Sequence, residues 1–146
     1  RIEESLIRTL AGGGDPVRRM ERWLDELIDM LADHPTYARV LLRSLFEDDE
    51  LNGDLPEERE AERAIASIMS SAGALLREGM SSGQLRAANV PHLLLTLMGM
   101  TVFPFASGDF GAEGLGRDPF DPTEVKRRKQ EVRDLLRFGL VVRPDR

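Results

Sequence analysis

"DPVRRMERWLDELIDMLADHP", residues 15–35, decides the fold. Asp15 reads as an N-cap and Pro16 as the first helical residue. That is a strong start signal, because the cap side chain satisfies a free N–H and proline has none to satisfy. From there Val17, Met20, Leu24, Leu27, Ile28 and Leu31 recur at helical spacing and line one face of a helix of about five turns. Trp23 and Met30 widen the stripe, and Pro35 breaks it. Such a face must be covered, and sustained period-two alternation is missing from the chain, so other helices are expected to cover it.

Working outward, "RIEESLIRTLA" (1–11) reads as the end of a helix closed by Gly12, Gly13 and Gly14, which cannot stay helical cheaply. Pro35 starts a second helix, "PTYARVLLRSLFED", with Tyr37, Leu41 and Leu45 on one side and Val40, Leu42 and Phe46 beside them. "DDELNGDLP" is a polar loop. Pro56 then opens a helix reaching Met80, with Ile65, Ile68, Met69, Ala72, Leu75 and Leu76 in register. At 1.5 Å per residue it would span roughly 36 Å. Gly83 reads as the residue that ends it in a left-handed turn, with Leu85 as the apolar contact that follows.

Asn89 caps a helix over 90–103 that is apolar nearly all round: Leu93, Leu94, Leu95, Leu97, Met98, Met100 and Val102. Such a helix needs cover on every side, which argues for a partner chain. Gly99 would let another helix come close. The glycine-rich stretch after Phe103, "PFASGDFGAEGLGRDPFD", reads as a loop. Asp121, Pro122 and Glu124 open a last helix, read as 122–141. The expected fold class is all-α, a bundle of about six helices forming one domain over residues 1–146.

Within the last helix stands a run of four bases, Lys126 to Lys129, in a chain of net charge −6. At 100° per residue they spread over about 300° and form no flat patch. Glu124 and Arg128, and Arg127 and Glu131, stand at i, i+4, so the run reads as a solvated helix face. Acids interleave with bases almost everywhere, which argues against phosphate-backbone binding by this segment. The apolar side of the same helix, Val125, Val132, Leu136, Gly139 and Leu140, approaches the heptad spacing of packed helices.

Signals for chemistry are weak. His34 reads as a helix-boundary residue and His92 as a first-turn residue; neither sits in a metal-binding pattern. Cysteine is absent, which removes disulfides and thiolate sites and suits a reducing, cytoplasmic setting. No apolar run is long enough to cross a bilayer. No nucleophile elbow is present, the glycines after Gly108 lack the strand and Gly-Lys-Ser/Thr of a phosphate loop, and "EDDELNGD" lacks the register of a calcium loop. The reading therefore expects no catalysis, no metal, no cofactor and no membrane. What remains is a set of large apolar side chains on several helices: Trp23, Leu27, Met30, Tyr37, Leu41, Phe46, Met69, Ala72, Leu76, Met100, Phe103 and Phe105. Singly each reads as core; together, methionines and aromatics with polar tips also suit an apolar ligand pocket.

The order of elements resembles the C-terminal domain of tetracycline-repressor-type regulators. The stretches "DPVRRMERWLDELIDMLADHPTYARVLLRSLFED", "LLREGMSSGQLRAANVPHLLLTLMGM", "FPFA" and "DPFDPTEVKRRKQEVRDLLRFGL" carry the resemblance, which covers nearly the whole chain. It implies an all-helical domain that binds a small apolar or aromatic effector and forms a homodimer through its last two helices. Those would meet as a four-helix bundle, with Leu94, Leu97, Met98, Val125, Lys129, Val132, Leu136, Gly139 and Leu140 at the interface. It also implies a helix-turn-helix domain upstream of Arg1, so that operator DNA is touched only through that domain and residues 1–11 form the connecting helix. The alternative is a stand-alone helical dimer, binding a small molecule or acting as a scaffold, with no DNA role.

Overall fold

The computed structural model describes residues 2–36, 38, 39 and 56–142. Among them are six helices: α1 (Ile2–Ala11), α2 (Pro16–Asp33), α3 (Pro56–Ser81), α4 (Val90–Ala106), α5 (Asp109–Leu115) and α6 (Pro122–Gly139). Residues 35, 36, 38 and 39 are helical as well. The remainder of the helix predicted after Pro35, with Tyr37, Leu41 and Phe46, lies outside the described residues. The fold is all-α.

Helix α2 is the axis of the domain, in contact with α1, α3, α4 and α6. Its apolar stripe explains why: Met20, Trp23, Leu24, Leu27, Ile28 and Leu31 are all essentially inaccessible. Burying each is worth about 1.5–3 kcal/mol. The start signals act as read. Asp15 Oδ1 accepts from the Val17 N–H at 3.0 Å, Asn89 Oδ1 from His92 N–H at 3.1 Å, and Asp121 Oδ1 from Thr123 N–H at 2.9 Å. Helix α1 ends at Ala11, and Gly14 takes φ of 112° in the turn that follows.

Two glycines close α3 in different ways. Gly83 takes φ of 78°, and the N–H groups of Gln84 and Leu85 both reach the Gly79 carbonyl at 3.0 Å. That turn folds Leu85 back onto the helix, where it lies so close that a Cβ on Gly79 would stand 2.6 Å from Leu85 Cδ1. Leu85 then forms an isolated antiparallel bridge with Val141. Arg86 N–H donates to Leu140 O at 2.9 Å, and Val142 N–H to Gln84 O at 2.8 Å.

Three expectations change. Helix α4 does not stop at Phe103; it runs through Pro104 to Ala106. Proline forfeits one donor to the preceding turn, but so near the C-terminus the helix continues, and Ser107 N–H still bonds Phe103 O at 3.0 Å. The stretch read as a loop contains α5, closed by Gly116 in the left-handed conformation. Gly111 seats α5 against the end of α4, because a Cβ there would collide with Ser107 Oγ. Finally, α6 ends at Gly139, and Val141 belongs to the bridge rather than to the helix.

Candidate functional site

The side chains singled out for a ligand divide into groups. Trp23, Leu27, Met30, Ala72, Leu76 and Phe105 join one contiguous buried core, and Met69 and Met100 pack against it half-buried. Phe103 is 49 % exposed and meets Phe110 edge to face, ring centroids 6.2 Å apart. Within the core one polar atom is conspicuous. Trp23 is 1 % exposed, and its indole N–H has no acceptor among the described residues. Buried donors are nearly always paired, so an orphan of this kind calls for an account.

The side chains singled out for an interface between copies are placed differently. Leu94, Leu97, Met98, Val125, Val132, Leu136 and Leu140 are all buried within the chain itself. Lys129 pairs with Asp29 at 2.5 Å. Gly139 lies exposed, with nothing within 4 Å of where a Cβ would stand. Helix α4 thus buries one face and turns the other outward, through His92, Leu95, Thr96 and Phe103. Leu95 is 62 % exposed, and Gly99 in the same stripe also has open space before it. On α6 the outward stripe is Glu131, Leu135 and Phe138, the two apolar members strongly exposed.

These two stripes belong to helices that run antiparallel. The Leu85–Val141 bridge ties the start of α4 to the end of α6, and Phe105 meets Phe120 at 5.5 Å where α4 ends and α6 begins. A ladder of ion pairs fixes α6 on α2: Lys129 with Asp29, Arg133 with Asp25, and Arg137 with Glu21 at 2.9 Å. The basic run is therefore split. Lys129 joins this ladder, Arg127 pairs with Glu124 at 2.7 Å, and Lys126 stays in solvent. The Glu21 carboxylate raises the Arg137 pKa above its ordinary value, by hydrogen bonding first and by charge second.

A second joint links α1 to the rest. Arg19, 7 % exposed, donates to Gly12 O at 2.6 Å and also pairs with Glu78 on α3. Thr9 Oγ1 lies 2.8 Å from the Glu26 carboxylate on α2. Reading the sequence did not single out Arg19, Glu78, Thr9 or Glu26. An arginine on the dry face of an amphipathic helix, among Val17, Met20 and Trp23, was the available signal.

His34 and His92 are both exposed, far from each other in the fold order, at the C-cap of α2 and in the first turn of α4. Among the described residues no group of three or more His, Asp and Glu side chains could hold a metal ion. Among the described residues no single helix is long and apolar enough to cross a membrane.

Buried apolar core, central helix and two antiparallel C-terminal helices make an all-helical domain. The chain belongs to the family described as tetracyclin repressor-like, C-terminal domain, whose model matches residues 16–136. The match covers α2 through most of α6. A search of curated proteins found no match.

Proposed function

We propose that this chain is the effector-binding and homodimerising domain of a ligand-responsive, DNA-binding transcriptional repressor. The observation that carries the reading is the pair of antiparallel helices α4 and α6. Each buries one face in its own subunit and offers a second, partly apolar face, through Leu95 on α4 and Leu135 on α6. Two copies related by a two-fold axis would cover those faces as a four-helix bundle, with Gly99 and Gly139 allowing close approach. The buried residues Leu97, Val132 and Leu136 support that interface from behind rather than forming its surface.

The effector would lie in the core beside Trp23. An apolar or aromatic molecule with one hydrogen-bond acceptor would satisfy the indole N–H that has no partner among the described residues. Helix α1 would carry the signal, since Arg19 and Thr9 fasten it to α2 and α3. The ligand biases the position of α1 only by its differential affinity for the two arrangements. DNA contact would belong to a helix-turn-helix domain joined to α1, and the setting would be cytoplasmic.

The chain has a single tryptophan, so its fluorescence reports on this core alone. Titration with small aromatic acceptors should give saturable quenching or a spectral shift, and Leu76→Phe, which adds bulk to the same buried core without adding a second indole, should abolish it. Failure of every apolar ligand class to perturb Trp23 would remove the effector reading.

A further inference from the structure

A cleft of about 630 Å³ lies between the end of α4, α5 and the first half of α6, and Trp23 does not line it. It is distinct from the effector core proposed above. Its apolar wall is the Phe103–Phe110 pair with Leu115, all exposed. Its opposite wall is α6, with Glu124, Arg127, Arg128 and Glu131. The volume falls within the roughly 300–1,000 Å³ of small-molecule sites.

The charge lining the cleft opposes that of the chain. Arg117, Arg127 and Arg128 stand against Glu124 and Glu131, three positive groups to two negative, in a protein of net charge −6. The pairing within the cleft is uneven. Glu124, 7 % exposed, is taken by Arg127 at 2.7 Å and faces Arg117 at 3.7 Å. The i, i+4 pair expected between Glu124 and Arg128 is not formed. Among the described residues Arg128 has no hydrogen bond and no ion pair, although it is half-buried against the cleft. A guanidinium left over facing an aromatic wall suits a carboxylate or sulfonate, two of whose oxygens match its fork.

We infer that the α4–α5–α6 cleft binds an amphipathic monoanion, an aromatic ring or short alkyl chain bearing one carboxylate or sulfonate. The apolar body lies on Phe103 and Phe110, and the anionic end pairs with Arg128. A small molecule fits better than a second copy of the chain. A helix seated there would bury an unpaired Arg128 at a cost of several kcal/mol unless it brought its own acid to that point.

The probe is 1-naphthoate, titrated by fluorescence and by calorimetry against the full chain, with neutral 1-naphthalenemethanol as the uncharged counterpart. Arg128→Gln should weaken naphthoate binding about tenfold, the equivalent of one charge-assisted contact, and leave the alcohol within twofold. Phe110→Ala should weaken both. Arg63→Gln, on the exposed side of α3, should change neither. Both cleft positions are partly or fully exposed, so circular dichroism should show native helicity in each variant. Absence of saturable binding, or wild-type affinity in Arg128→Gln and Phe110→Ala, would overturn the assignment. So would binding seen only in the monomeric Leu95→Glu, Leu135→Glu variant and not in the dimer, since the second copy would then occupy the cleft.

Discussion

Arg19 donates to the Gly12 carbonyl at 2.6 Å from a position that is almost wholly buried. The same guanidinium pairs with Glu78, so one side chain joins the turn after α1 to both α2 and α3. Only a fork with several donors can serve both partners. Arg19→Ala should cost about 2–3 kcal/mol, the range for losing charged hydrogen bonds in a buried setting. Arg19→Lys should lose most of that as well. Urea unfolding checks both, and a midpoint unchanged in Arg19→Lys would mean that charge alone holds the joint.

The ladder between α2 and α6 predicts a measurable coupling. Asp25 and Arg133 are both partly covered, and their neighbours Asp29–Lys129 and Glu21–Arg137 hold the helices in register. A double-mutant cycle with Asp25→Asn and Arg133→Gln should give about 0.5–1 kcal/mol, shrinking as salt rises. A coupling of zero at low salt would show that packing of Val132 and Leu136 alone sets the register.

Gly79 and Gly83 should fail for different reasons. Gly79→Ala places a methyl against the Leu85 side chain, an overpacking expected to cost about 1–3 kcal/mol. Shrinking Leu85 to Ala in the same chain should relieve that clash. Gly83→Ala meets no neighbour but forces a side chain into φ of 78°, for about 1–2 kcal/mol, and Leu85→Ala should not help it. Thermal unfolding of the single and double variants distinguishes the two.

Trp23→Phe keeps an aromatic ring, smaller than indole, and removes the N–H that has no acceptor among the described residues. Stability should stay within about 1 kcal/mol of wild type or rise, since an unsatisfied buried donor is itself destabilising. Affinity for an acceptor-bearing effector should fall about fivefold to tenfold, in line with the loss of one hydrogen bond of roughly 1–1.5 kcal/mol. Equal binding by both proteins would mean that the effector does not use that N–H.

Helix starts were legible because they are local chemistry: Asp15, Asn89 and Asp121 each accept the N–H that their position requires. The dry stripes were legible too, since period 3.6 records which side of a helix avoids water. What the period does not record is whose atoms exclude that water. Val125, Val132 and Leu136 read as partner-facing, yet α2 of the same chain covers this side of α6. The outward face of α4 was hidden by its uniform composition, as Leu94 and Leu95 look alike in sequence and differ completely in exposure. Helix α5 was hidden by its glycines. Its support is tertiary, through the seat that Gly111 makes beside Ser107, and no helical period announces that. The Arg19 joint depends on residues far apart in sequence, Glu78 above all, and could only emerge from the fold.

The most direct test of the central claim, a dimer built on the outer faces of α4 and α6, is solution mass by light scattering across a dilution series. Wild type should hold near twice the 16.4 kDa chain mass. Leu95→Glu combined with Leu135→Glu, both at exposed positions, should fall to the mass of one chain with its helicity intact. A wild-type protein that is monomeric at every concentration would contradict the account. So would a double variant that still dimerises, because the interface would then lie elsewhere.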